Sequence, residues 1–195
     1  MWKKDACQQL KIKSSGKIDF FTGFLSVFIV SLIMLVCLKL SYYMIAGAYV
    51  EDALAASNLA SALIDIEEYG KDHTLRILDP QGAYEIYKEA LSINLQLDED
   101  GRSFQRGLLE GPVRIVSYII YNVKDGLVDI YEMDENGNMQ ESAQGEAGQT
   151  YTPDGVLVES TTIYSRIHFG VKGLGQQYIQ AEKEKSVDVK RNEEG

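Results

Sequence analysis

FFTGFLSVFIVSLIMLVCL, residues Phe20 to Leu38, is a run of nineteen residues without a charge. At 1.5 Å per helical residue it covers about 28 Å, the thickness of a bilayer's hydrocarbon core. Lys3, Lys4, Lys11, Lys13 and Lys17 precede it against a single carboxylate, Asp5, whereas the chain as a whole carries 29 Asp and Glu to 19 Lys and Arg. By the positive-inside rule this asymmetry predicts a basic cytoplasmic leader over 1–17. The acidic bulk of the chain then lies on the outer side of a cell membrane crossed once. Lys39, Tyr42 and Tyr43 follow the run and suit its outer interface, where tyrosine rings sit at headgroup depth and lysine snorkels. Membrane lipid is therefore the first expected partner.

A cleaved signal peptide is the rival reading, because Ala46-Gly47-Ala48 has the small-x-small form of a cleavage site. Cutting after Ala48 would release a secreted soluble binding domain. Against this, the apolar core exceeds a usual signal, and Lys39 and the tyrosines separate it from the site. The helical pattern also continues beyond the span: Ile45 to Tyr69 has no proline, and its only glycine is Gly47. Val50, Leu54, Ser57, Ala60 or Ser61, and Ile64 recur at spacings of three and four, the mark of one packed face. Small residues along it, Ala53, Ala56, Ser57 and Ala60 among them, permit close helix–helix approach; they also suit a helix lying under a head domain. The expected unit is one helix over 18–69, spanning the membrane at about 20–45 and stopping at Gly70.

The net charge of −10 and the lack of a basic stripe beyond the leader speak against nucleic acid as a partner. Both cysteines, Cys7 and Cys37, lie in the leader and the span, so the exported part holds itself together by packing without disulfides.

Asp79-Pro80 is a helix start, a capping residue followed by proline at the first helical position. Ala83, Tyr84, Tyr87, Ala90, Leu91 and Leu95 then share a face, which predicts a second, short helix to about Leu97. From Val113 the pattern changes to strands: VRIVSYIIYNV, a turn at Lys124-Asp125-Gly126, then LVDIYEMD. Met139–Thr152 is polar and reads as a loop or flap, Val156–Val171 returns to strand, and 176–195 reads as a polar tail in which SVDVK makes at most a short edge strand. The fold class is α+β: a long N-terminal transmembrane helix continuing outside the membrane, a second short helix, and a small antiparallel β-sheet head over 70–175.

The chain offers little chemistry to a search for catalysis. His73 and His168 are its only histidines, and no metal-ligand spacing surrounds them. Neither a Gly-x-Ser-x-Gly elbow nor an exported cysteine supplies a nucleophile. Asp98-Glu99-Asp100 and Asp134-Glu135-Asn136 cluster oxygen ligands suited to weak calcium binding or to turns alone. The expectation is a non-enzyme without cofactors.

Gly16-Lys17-Ile18-Asp19-Phe20-Phe21 at the membrane entry, with Val50-Glu51-Asp52-Ala53-Leu54 and Ala56-Ser57-Asn58-Leu59-Ala60 beyond it, resembles the type IV pilin-like subunits. More closely, it resembles the minor pseudopilins of tight-adherence (Tad) pilus systems, the TadE/TadF-like proteins of Gram-positive bacteria. The resemblance implies a pilin-like fold and assembly with other pilin-like subunits and assembly proteins. It also implies cleavage by a prepilin peptidase after a small residue, Gly16 here, before Lys17. Such a cut places Asp19 third and Phe21 at the fifth position, where the family commonly has Glu. Asp19 then carries the carboxylate of the first helical turn. A lone membrane-anchored binding protein is the remaining alternative.

Overall fold

The computed structural model describes residues 2–62, 75–104, 108–173 and 178–189, with side chains in the first helix from Asp19 onward. Two compact units make up the chain, Met1–Met44 and Ile45–Gly195.

Helix α1 (Trp2–Ser61) occupies the first unit and enters the second. It begins before the expected Ile18, because nothing in the leader breaks a helix ahead of Gly16. Its described extent ends at Ser61, and the expected continuation to Tyr69 lies in 63–70, outside the described residues. At Ser61 the hydroxyl donates to the Asn58 carbonyl at 2.9 Å, a local bond that competes with the helical ladder. From Asp19 on, α1 is the one helix among the described residues long and apolar enough to cross a membrane. Its large side chains stand in the open; Phe20 is 79% and Met34 63% exposed. Polar groups in and just after the run satisfy themselves: Ser26, Ser31 and Ser41 donate to the carbonyls of Thr22, Val27 and Cys37, four residues back. In lipid, where water offers no substitute partner, such back-bonding removes the cost of a bare hydroxyl.

In the second unit, helix α2 (Pro80–Leu95) starts where the Asp-Pro pair predicts, with the Asp79 carboxylate accepting from the Gly82 N–H at 2.9 Å. It stops at Gln96, whose backbone turns left-handed at φ 52° and closes on the Ile93 carbonyl. Five antiparallel strands follow: β1 (Arg114–Lys124), β2 (Leu127–Met133), β3 (Met139–Glu146), β4 (Thr162–Lys172) and β5 (Tyr178–Asp188). Their order across the sheet is β3-β2-β1-β4-β5. Asp125 (φ 51°) and Gly126 (φ 80°) form the two-residue turn between β1 and β2, the left-handed pair a tight hairpin demands.

Two segments differ from the sequence reading. Met139–Glu146, read as a loop, pairs along β2, and Tyr178–Asp188, read as tail, pairs residue by residue with β4. Both are edge strands. Conversely, 156–161 precede β4 instead of belonging to it.

The sheet is covered on both faces. On one, the Tyr118 ring lies tilted against Tyr87 and Tyr84 of α2, with centres 4.6 and 5.3 Å away, while Ile120 pairs with Ile163 beneath. On the other, Ile119, Tyr121, Val128 and Tyr164 pack against Val158 of the β3–β4 connection. Asp154 pins that connection to β5, accepting from the Ser186 hydroxyl at 2.6 Å and its N–H at 3.0 Å. The irregular segment leading to α2 is held by Asn122, whose side chain accepts from the Ile77 N–H and donates to its carbonyl, both at 2.9 Å.

Candidate functional site

The part of α1 inside the second unit has two unlike faces. Ala46, Val50, Ala53, Leu54, Ser57, Asn58 and Ser61 are buried, following the 3.6-residue repeat. Ala48, Asp52, Ala56, Leu59 and Ala60 are exposed, Leu59 by 57%. Of the helix-packing residues read from sequence, Ala53 and Ser57 thus serve the chain's own head, while Ala56 and Ala60 face outward. Ala60 falls off the buried face and Ser61 takes the place. Ile64 lies outside the described residues.

The buried face is joined to the head by hydrogen bonds as much as by apolar contact. Asn94 of α2 donates to the Ser57 hydroxyl at 3.0 Å, and Tyr49 donates to the Asn94 carbonyl at 2.8 Å. Tyr118 donates to the Ser61 hydroxyl at 2.8 Å, and Asn58 donates to the Lys185 carbonyl at 2.9 Å. Small residues at Ala53 and Ser57 leave the space these partners fill. Burial pushes the phenols of Tyr87 and Tyr118 well above their ordinary range, so both stay neutral, and Tyr118 can donate to Ser61.

At the edge of this face Glu51 receives both Lys183 and Lys185, one on each carboxylate oxygen, at 2.8 Å each. Hydrogen bonds from Lys183 and then Lys185 hold the Glu51 carboxyl down at about 2, and the same pairing raises Lys185. This clasp was missed in the sequence. The signal lay in the alternation of 182–185, EKEK, since lysines two apart on a strand share a face.

Farther toward the N-terminus, the Lys39 ammonium lies 5.3 Å from the centre of the Tyr42 ring, and Tyr42 meets Tyr43 edge-on at 5.9 Å. The three residues read as interface anchors form one aromatic–cationic group, the chemistry of a membrane boundary. Asp19 is exposed in α1. Gly16 and Lys17 lie on the same helix, and their side chains are outside the described residues.

A cleft of about 170 Å³ on the sheet's other face is lined by Glu110, Arg114, His168 and Gln180. Its His168 stands 3.8 Å from Glu182, an ion-pair distance beyond hydrogen-bond reach. Nothing among these side chains is a nucleophile set beside a base. His73 lies outside the described residues. Of the two acidic turns, Asp134 spends one oxygen on the Asn136 and Asn138 N–H groups, and Asp98 does the same with Asp100 and Arg102. The Asn138 N–H, foremost, holds the Asp134 carboxyl below its usual range. No cluster of three metal-ligating side chains forms among the described residues.

Comparison with family models, with curated proteins and with solved structures gives no match.

Proposed function

We propose that this chain is a non-catalytic, minor pilin-like subunit of a tight-adherence or related type IV-like pilus or secretion apparatus. It is anchored by Phe20–Leu38 with its N-terminus in the cytoplasm and its head outside. The observation that carries this reading is the division of α1. One face is satisfied by the chain's own head, while the other, Ala48, Ala56, Leu59 and Ala60 with the carboxylate of Asp52 among them, is exposed. Such a face suits the lateral packing of helices from neighbouring subunits, where small residues allow close backbone approach. Retention of the span is supported by Ala46, which is fully buried in the head and would be lost by a cut after Ala48.

The deciding experiment is the intact mass and N-terminal peptide map of the protein recovered from its own host. A start at Lys17 establishes pilin-type processing. A start at Tyr49 overturns the anchored reading in favour of a secreted domain. An intact Met1 leaves an anchored partner protein and removes the processed-pilin assignment. Independently, Ala56→Leu with Ala60→Leu should abolish co-purification with partner subunits while membrane insertion persists.

A further inference from the structure

Several polar side chains enclosed by the head have partners: Ser57, Ser61, Asn122 and Thr162 each make at least one hydrogen bond. Three groups on residues that are 0% exposed do not. The Tyr87 hydroxyl, the Ser165 hydroxyl and the side-chain carbonyl Oδ1 of Asn58 have no aligned hydrogen-bonding partner among the described residues. A buried polar atom left bare costs stability, so native proteins nearly always pair it with protein or with ordered water.

The three groups belong to one place, and all lie within the head unit. Tyr118 and Ser165 are direct partners across β1 and β4, so their side chains stand on the same face of the sheet. It is the face that α1 and α2 cover, because Tyr118 reaches Ser61 of α1 and lies against Tyr87 of α2. Burial raises the Tyr87 phenol and the nearby Ser165 hydroxyl offsets part of that rise, yet the two hydroxyls are not aligned as donor and acceptor. From α1, Asn58 comes down on the same position. Its amide nitrogen donates to the Lys185 carbonyl at 2.9 Å and stands 3.5 Å from the Ile163 carbonyl. Lys185 is the cross-strand partner of Ser165, and Ile163 lies two residues before it on β4.

We propose that Tyr87, Ser165 and Asn58 form an internal water-binding site that joins α2, β4 and α1. The inventory of donors and acceptors suits one water molecule. The neutral phenol donates, Asn58 Oδ1 only accepts, and the Ser165 hydroxyl does either. A water that accepts from Tyr87 and donates to Asn58 and Ser165 makes three bonds, the usual number for a buried water. The protein does not close the gap by itself. Turning the Asn58 amide toward the hydroxyls would give up the Lys185 carbonyl, and the Tyr87 ring is held between Tyr84 and Tyr118. An ion would find no counter-charge among these three neutral groups. The site is independent of whether the chain enters a pilus.

The test is a crystal structure of the unaltered full chain, in detergent or lipid, at a resolution that shows ordered water. The expected result is one density peak within hydrogen-bonding distance of Tyr87 Oη, Ser165 Oγ and Asn58 Oδ1 together. Direct pairing of the hydroxyls with each other or with Asn58, with no peak between them, overturns the proposal. So does a larger density, which would assign the site to another ligand. A double-variant cycle checks the same point in solution. Tyr87 and Asn58 share no direct hydrogen bond, so Tyr87→Phe and Asn58→Ala communicate through the water. The unfolding constant of the double variant should depart several-fold from the product of the single effects, and additivity within about twofold overturns the proposal. Should Asn58→Ala fail to fold, the crystal structure of the unaltered chain decides alone.

Discussion

The two halves of α1 make an instructive pair. Residues 20–38 are strongly apolar and entirely exposed; residues 46–61 are rich in alanine and serine and seven of the sixteen are buried. Burial here follows from what is available to cover the helix. Among the described residues nothing of the chain covers the first half, whose length and composition suit a membrane span. The second has a sheet and α2, which approach closely enough to hydrogen-bond because its side chains are short. Apolar content alone would assign the core to the wrong half.

The largest effect that breaks this symmetry is expected at Leu54, fully buried under the head. Leu54→Ala should lower the head's unfolding free energy by about 2–5 kcal/mol, whereas Phe28→Ala in the span should leave it within about 0.5 kcal/mol, both read by urea titration in detergent. Next is Asn122→Ala, which strips both partners from the Ile77 backbone; a loss of about 1–3 kcal/mol is expected in the same assay.

Smaller still is the Glu51 clasp. Its side chain is 36% exposed, so solvent screening limits Glu51→Gln to on the order of 1 kcal/mol. Its folded-state pKa is depressed, from the ordinary 4.5 to about 2, so the clasp stabilises fully above pH 4.5 and fades as pH falls toward 2. Wild type and Glu51→Gln should therefore differ in melting temperature at pH 7 and converge by pH 2. Least affected in folding is Ala60→Leu, on the outward face, where a change within about 0.5 kcal/mol is expected. A larger loss would mean that this face packs against the head after all.

Much of the architecture was legible because the residues concerned carry strong local chemistry. Asp79-Pro80 announces a helix start, Asp125-Gly126 a hairpin, and the β-branched and aromatic run of β1 a central strand. Strands β3 and β5 were not legible for a common reason. QESAQGE and AEKEK lie at sheet edges, where pairing is made by backbone groups, and charges on the outer strand discourage further pairing. The hydrophobic alternation that marks a strand is consequently absent. The packed face of α1 was visible as a periodicity, but its occupant was not. A small residue that admits another helix also admits an asparagine or a tyrosine from the same chain, and only the tertiary structure separates Ala53 and Ser57 from Ala56 and Ala60.

One consequence of the Glu51 clasp concerns timing. The lysines that close on α1 sit on β5, the last strand in chain order, while Glu51 precedes every other element of the head. Contacts so distant in sequence form late, after the intervening loop entropy has been overcome. As the chain is synthesised, α2 can meet Ser57 and Tyr49 early, but the Glu51 edge of the helix face waits until nearly the whole polypeptide has been made. Synthesis order thus leaves an interval in which that edge can meet another protein before it meets its own sheet.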